Sequence, residues 1–452
     1  MIRALRPRSL LLFAWIMGAL TLAPLGAAEP PPTLDLKEAL RLAWKANPSR
    51  QVSRLQVLIA GEEVIRARSG FLPQVKAETG YTVLDDPTKI KLQGTPASTP
   101  AFPMTNRTYG SSQVAVEQLI FDFWGTPSKY QAAVLGKKAT ILDTAQTRDN
   151  IFLTVCQGYF QTLRAEKMLV IAQQEVVQLK DHLKVAKDKF EFGVVTYNDV
   201  LQADVSLADA EQRLIIAKTD VVDIRSALNK VLALPISQPT RLKDERDLVA
   251  PEEDLQRKTE IALKQRSDLK ASRDRVEQQE KVVTQTKAQF FPRIFARGGH
   301  TWQQNDVWVN DSQYFAFLGM QWSLFSGLDT RAQAAQARNR VSQLRVQQKD
   351  LGEQVKLDVQ TAHLSVNDTA ERIRVTEKAV VQGEENLRLN VERYKEQVGT
   401  ATDVIDAQTL LTKTRVAYTN ALYDHQMAKA LLLWAMGAIN ELLPGETYNH
   451  AP

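Results

Sequence analysis

The sequence holds a single cysteine, Cys156, among 452 residues. A lone thiol excludes an intrachain disulfide framework and a cysteine-based zinc site. It also lies too far from the N-terminus to carry an N-terminal lipid anchor, and reads as a small buried apolar residue. Histidine is scarce as well. The five residues at 182, 300, 363, 425 and 450 are dispersed, and none forms a helix-spaced pair with a carboxylate. There is no glycine-rich phosphate loop, no nucleophile elbow and no zinc motif. Adjacent acids such as Glu384 and Glu385 read as a solvated helix face. No catalytic residue, cofactor site or metal site is therefore assigned. The net charge is only +5 and no dense Lys/Arg block occurs, so a nucleic-acid role has no support.

Long apolar runs are also missing, with one exception. Arg3, Arg6 and Arg8 precede an apolar stretch from Leu10 to about Leu25, followed by the small residues Gly26-Ala27-Ala28. This order predicts a secretory signal peptide over residues 1–28, because the stretch is shorter than the ~20 residues of a transmembrane helix. No second run of that length follows, so helices are not expected to hold the mature chain in a membrane.

What the sequence does contain is itself, twice. Phe71-Leu72-Pro73 recurs as Phe290-Phe291-Pro292, shifted by 219 positions, while Leu119-Ile120-Phe121-Asp122 recurs as Ser323-Leu324-Phe325-Ser326, shifted by 204. Phe190 to Val200 recurs as Tyr394 to Val404 at the same shift of 204. The difference lies between Pro73 and Phe121, where the first copy has the longer insertion. Two repeats are expected, at residues 29–233 and 252–437, with a proline-bearing linker at 234–251 and a tail at 438–452.

Each repeat carries heptads. Val155, Thr162, Leu169, Val176, Leu183 and Phe190 form one series, shadowed by Ala165, Ala172, Leu179 and Ala186. Val200, Leu207, Leu214, Val221 and Leu228 continue it, with Ala203, Ala210 and Ala217 alongside. The second copy gives Val359, Val366, Ile373, Val380, Leu387 and Tyr394, then Val404 and Leu411 with Ala407, Ala421, Ala428 and Ala435. Apolar residues at this spacing specify left-handed coiled coils, and alanines on one seam let the helices approach closely. The series break at Gly193-Val194-Val195 and at Val398-Gly399. Each break is followed by a capping-box pattern, Thr196 to Asp199 and Thr400 to Asp403, that starts a new helix. Each copy thus predicts a long helical hairpin, with tips at about 193–196 and 397–400. The helix from about Thr126 to Phe192 spans roughly 67 residues, or ~100 Å. Flanking helices at about Leu36–Gly70 and Thr196–Ala233 are near half that length, as in a cylinder wall of uniform height.

Between about 71 and 121, and again between about 292 and 325, the period falls to two. Val75, Ala77, Thr79, Tyr81 and Val83 alternate with Gln74, Lys76, Glu78, Gly80 and Thr82, and Val114, Val116 and Ile120 face Gln113, Ala115 and Glu117. In the second copy Ile294, Ala296, Gly298, His300 and Trp302 form one face. The return strand offers Tyr314, Ala316, Leu318, Met320, Trp322 and Leu324, with Phe315 and Phe317 blurring the alternation. Strands of this length with one apolar face and aromatic ends match transmembrane β-strands. Four strands cannot close a barrel, and lipid does not tolerate an open edge, so the chain must oligomerise. The insert from Leu84 to Arg107 is expected to be an extracellular loop. The fold class is α+β: long antiparallel coiled-coil hairpins plus four transmembrane strands per chain.

These features together resemble the TolC family of outer-membrane efflux proteins. The matching residues are Leu34-Asp35-Leu36 through Asn47-Pro48 to Gly70-Phe71-Leu72-Pro73, the Leu-Phe hinge after the second strand, Gly193-Val194-Val195-Thr196 with Asp199-Val200-Leu201, and Val398-Gly399-Thr400 with Asp403 to Gln408. No single tetrapeptide is specific; the ordered set, duplicated over the chain, is. The resemblance implies a homotrimer in the outer membrane with a periplasmic extension. Twelve strands would form one barrel and twelve helices one tunnel, docked on a periplasmic adaptor and an inner-membrane pump. It places adaptor docking at Gly193, Val194, Val195, Thr196, Val398, Gly399 and Thr400. It also places a pore aperture at Asp403 and Asp406, a ring expected to favour cations and to raise some of its own pKa values by repulsion. The tip sequences depart from the family's Val-Gly-Leu type, which leaves the adaptor open, as are drug, metal or protein cargo. Two other readings of the heptads are a secreted structural coiled coil and the periplasmic adaptor itself.

Overall fold

The computed structural model describes residues 33–443, apart from 92, 95, 97, 98, 246, 247 and 250. The expected signal peptide and the end of the C-terminal tail lie outside the described residues. The elements of the first repeat are helices α1 (Leu36–Ala46) and α2 (Pro48–Arg68), strand β1 (Gln74–Val83), two short strands β2 (Lys89–Ile90) and β3 (Phe102–Pro103), strand β4 (Thr108–Phe121), and helices α3 (Gly125–Glu191) and α4 (Tyr197–Val231). The second repeat has α5 (Leu255–Gln265), α6 (Ser267–Ala288), β5 (Arg293–Gln303), β6 (Ser312–Gln321), α7 (Asp329–Lys395) and α8 (Ala401–Ala435). Helices α3 and α7 each have 67 residues, and α4 and α8 each have 35. Such lengths exceed what intrinsic propensity sustains, and the apolar seams supply the rest.

The helix expected over Leu36–Gly70 is two helices. Asn47 ends α1 and caps α2, its side chain accepting from the Ser49 amide at 2.9 Å. Pro48 holds the preceding residue extended, so the helix cannot run through. The second repeat breaks at the same place without a proline. There Arg266 (φ −55°, ψ 125°) is buried, and its guanidinium binds Asp268 at 2.6 Å and Asp358 at 2.7 Å and lies 4.8 Å from the Trp434 ring. A buried cation with two carboxylates offsets its desolvation.

The heptad seams pack as predicted. Val176, Leu179, Leu183 and Ala186 of α3 bury against Val200, Ala203, Leu207 and Ala210 of α4. A larger core lies midway along the molecule, where α1, α3, α4, α5, α7 and α8 converge on Phe152, Tyr159, Phe160, Leu40, Leu228, Tyr423 and Leu432. Each of its fully buried leucines contributes about 1.5–3 kcal/mol by leaving water. This core draws on both repeats, so they fold as one body. The linker closes over it: Leu34 N–H donates to the Arg241 carbonyl at 2.9 Å, Lys243 N–H donates to the Leu34 carbonyl at 3.0 Å, and Tyr159 donates its hydroxyl to the Lys243 carbonyl at 2.5 Å. Cys156 is fully buried in this core, and burial pushes its thiol up to about 12.

The four long strands make one antiparallel sheet in the order β1-β4-β5-β6, so the two repeats are joined through β4 and β5. The register places Val75 opposite Val116, Val114 opposite His300, and His300 opposite Tyr314. One extra residue, Ile120, bulges between Leu119 and Phe121, interrupting the alternation there. The return strand of the second hairpin ends at Gln321, so Trp322 and Leu324 stand beyond it.

Candidate channel and docking sites

The sheet sorts its residues into two faces. Directly paired residues share a face, so the register carries each strand's alternation across all four. Val75, Ala77 and Tyr81 join Val114, Val116, Ile294, Ala296, His300, Trp302, Tyr314, Ala316, Leu318 and Met320 on an apolar face. Gln74, Lys76 and Glu78 join Gln113, Glu117, Arg293, Arg297, Thr301, Gln313 and Gln321 on the other. On that polar face Arg293 binds Glu117 at 2.8 Å. The apolar face is exposed in the single chain: Val75, Leu318, Met320 and Tyr314 are all open. Aromatics mark the helix end of the sheet, where Phe123 stacks on Phe291 with centroids 4.8 Å apart and Trp322 donates to the Phe290 carbonyl at 3.0 Å. At the other end the two hairpin loops are tied, because Trp308 donates to the Met104 carbonyl at 2.8 Å. The insert between Leu84 and Arg107 thus caps the sheet at the end away from the helices. Among the described residues no helix is long and apolar enough to cross a membrane.

The tips lie about 100 Å from the sheet along α3 and α7. Helix α3 ends in a Schellman turn: Val194 N–H donates to the Lys189 carbonyl at 2.9 Å and Gly193 sits at φ +69°. Helix α7 ends the same way, with Val398 N–H donating to the Arg393 carbonyl at 2.9 Å. The left-handed residue there is Gln397 at φ +63° rather than Gly399, so the glycines of the two tips are not structurally equivalent. Both capping boxes form. Thr196 N–H donates to Asp199 at 2.9 Å, and Thr400 N–H to Asp403 at 2.9 Å.

The structure also brings the two tips together. The Lys189 ammonium donates to the Tyr394 carbonyl and lies 4.2 Å from its ring centroid. Thr402 donates to the Gln202 side-chain oxygen at 3.1 Å. Of the tip residues named from sequence, Val194 and Val398 are exposed at 43% and 71%. Val195 instead packs with Val391 and Leu387 of α7 against Tyr394 and Val404. Asp403 is half-buried and Asp406 exposed, one turn apart on α8. Bonds from the Thr400 amide and hydroxyl hold Asp403 below the ordinary carboxylate range, the reverse of the direction expected from repulsion, which needs further chains. Beside the tips lies a cavity of about 310 Å³ lined by Gln178, His182, Leu387, Tyr394, Val404 and Gln408. In sequence His182 is one of five dispersed histidines, and no local pattern announces its burial at the contact between hairpins.

The profile of the family described as "Outer membrane efflux protein" matches residues 39–234 and 259–438, one match per repeat. The chain belongs to the outer membrane efflux protein family. The TolC outer membrane protein of Vibrio cholerae is 22% identical over 419 residues, covering 90% of this chain and 91% of that one. The alkaline protease secretion protein AprF of Pseudomonas aeruginosa is 23% identical over 455 residues, covering 95% and 89%. Among solved structures, the outer membrane protein VceC of Vibrio cholerae superposes with a TM-score of 0.76 at 19% identity, covering 89% of this chain and 96% of that one. The open-state MtrE channel of Neisseria gonorrhoeae gives 0.72 at 18%, covering 89% and 88%. Like the rest of its family, this efflux protein is an outer-membrane channel subunit for efflux or type I secretion. The family is one of channels rather than of enzymes.

Proposed function

We propose that three copies of this chain close one barrel of twelve strands above a tunnel of paired helices, and that the tunnel receives solutes from a periplasmic adaptor and an inner-membrane pump. The observation that carries this reading is the pair of free sheet edges. β1 and β6 each have a partner on one side only, and unpaired backbone polar groups are not tolerated in hydrocarbon. With strands alternating in direction across the sheet, β6 of one copy can pair antiparallel with β1 of the next, and only closure into a ring removes both edges. The polar face then lines the lumen and the apolar face meets lipid. On this reading the exposed tip residues, Val194 and Val398 foremost, meet the adaptor. Asp403 and Asp406 at the start of α8 ring the narrow end, so that three subunits present six carboxylates to one aperture.

Single-channel recording in a planar bilayer tests this. Asp406→Ala, alone and with Asp403→Ala, should lower cation selectivity and weaken block by multivalent cations added from the tip side. Wild-type traces from both variants across pH 4 to 8 would take these aspartates out of the pore. Failure of the purified protein to conduct at all would remove the barrel.

A further inference from the structure

Three phenylalanines stand on the polar face of the sheet. Phe317 pairs directly with Arg297 and Phe315 with Gly299, and Phe295 is two residues from Arg297 along β5. The register puts all three with Glu117, Arg293 and Thr301, and not with the apolar residues of the opposite face. Phe295 and Phe317 tilt together with centroids 5.9 Å apart. Both rings lie over Gly319, where an added Cβ would come within 2.3 Å of Phe317 and 2.8 Å of Phe295. Covering a glycine explains why rings sit here, but in the single chain Phe317 is still 55% exposed. An aromatic face held open to water in an otherwise polar wall is unfavourable unless something apolar comes to it. The charges beside the rings are Arg293, Arg297 and Glu117, which stands directly opposite Arg297 across the β4–β5 pair. Arg293 lies 5.4 Å from the Phe295 centroid, and its charge is met by Glu117. Arg297 has no ion-pair partner among the described residues, and it lies beside Phe317.

We propose that Phe295, Phe315, Phe317 and Arg297 form a collar inside the barrel, near its junction with the tunnel, that binds aromatic anions in transit. The collar rests on the closed-barrel reading above, which brings three copies of it around one lumen. The rings take the flat apolar part of the solute and the free guanidinium takes its carboxylate or sulfonate. Neither acetate nor an uncharged arene satisfies both. The site sits where charge and shape in a barrel lumen set selectivity.

The test uses 2-naphthoate as the probe, with acetate and 2-naphthylmethanol as controls, on the purified full-length protein. Two readouts are taken: blockade of single-channel current, and equilibrium binding followed by naphthalene fluorescence. Naphthoate should bind and block more tightly than either control. Phe315→Leu with Phe317→Leu keeps an apolar side chain over Gly319 and should weaken naphthoate about tenfold through lost ring contacts. Arg297→Gln should reduce naphthoate binding to the level of naphthylmethanol while leaving the alcohol unchanged. Naphthoate affinity unmoved by either variant, or equal affinity for acid and alcohol in the wild type, would overturn the proposal. A protein that conducts normally yet shows those results refutes the collar alone. One that binds naphthoate through these residues but never conducts refutes the barrel and leaves the site.

Discussion

Gly193 and Gln397 occupy the same backbone position, each in the left-handed region at the end of a 67-residue helix, at φ +69° and +63°. Only the first is a glycine. A side chain in that region is disfavoured by roughly 1–2 kcal/mol, so the second tip carries strain that the first avoids. Gln397→Gly should stabilise the end of α7 by about 1 kcal/mol, read as slower amide exchange over residues 390–398. Gly193→Gln should cost a similar amount at α3. Unchanged exchange in both variants would mean that neighbouring contacts, not the turn, set the order of the tips.

Gly299 is required by close approach rather than by its dihedrals. A Cβ there would lie 2.2 Å from the Val114 carbonyl oxygen across the β4–β5 junction. Gly299→Ala should force apart the strands that join the repeats, at a cost of about 1–3 kcal/mol or more. The assembled form resistant to detergent should fall on electrophoresis without heating. Gly352→Ala on α7, where a Cβ meets nothing within 4 Å, serves as the silent control.

His182 makes the contact between hairpins sensitive to acid. Its ring is 8% exposed and 5.3 Å from that of Tyr394, and Nε2 has no hydrogen-bond partner among the described residues. Burial lowers its pKa below the ordinary 6.5. A histidine lowered in the folded state gives stability that is complete above 6.5 and is lost as pH falls through the folded value. Asp181, Lys189 and Lys395 are the charged groups near it on α3 and α7. Amide exchange along 178–190 and 387–395 should therefore quicken between pH 6.5 and 5. In His182→Phe, which keeps the ring contact, that acid response should vanish. An unchanged response would assign it to another group.

Docking at the tips requires that Val194 and Val398 be replaceable without loss of fold, since both side chains are exposed. Val194→Glu and Val398→Glu should abolish export while assembly and membrane insertion persist, by fractionation and electrophoresis of the unheated oligomer. Val195→Glu should differ. Its side chain packs between the hairpins, so an added carboxylate there should also destabilise the tip, by about 1–3 kcal/mol. Export surviving all three changes would move the adaptor contact elsewhere.

The sequence by itself determined what repeats locally. Heptads from Val155 to Phe190 and from Val359 to Tyr394 give helices because every turn repeats the same backbone geometry, and the capping threonines at 196 and 400 satisfy amides three residues away. Alternation from Gln74 to Val83 gives the two faces of β1 for the same reason. Tertiary structure alone decided the rest, because distant segments supply the partners. The helix break at Arg266 is held by Asp358 and Trp434, far along the chain. The pairing of β5 with β6 puts Phe315 and Phe317, which blur the alternation in sequence, on the polar face, where the Phe317 ring lies over Gly319. The left-handed residue at the second tip is Gln397 although a glycine lies two residues on, because the turn is placed by the end of the α7–α8 packing and not by where glycine falls.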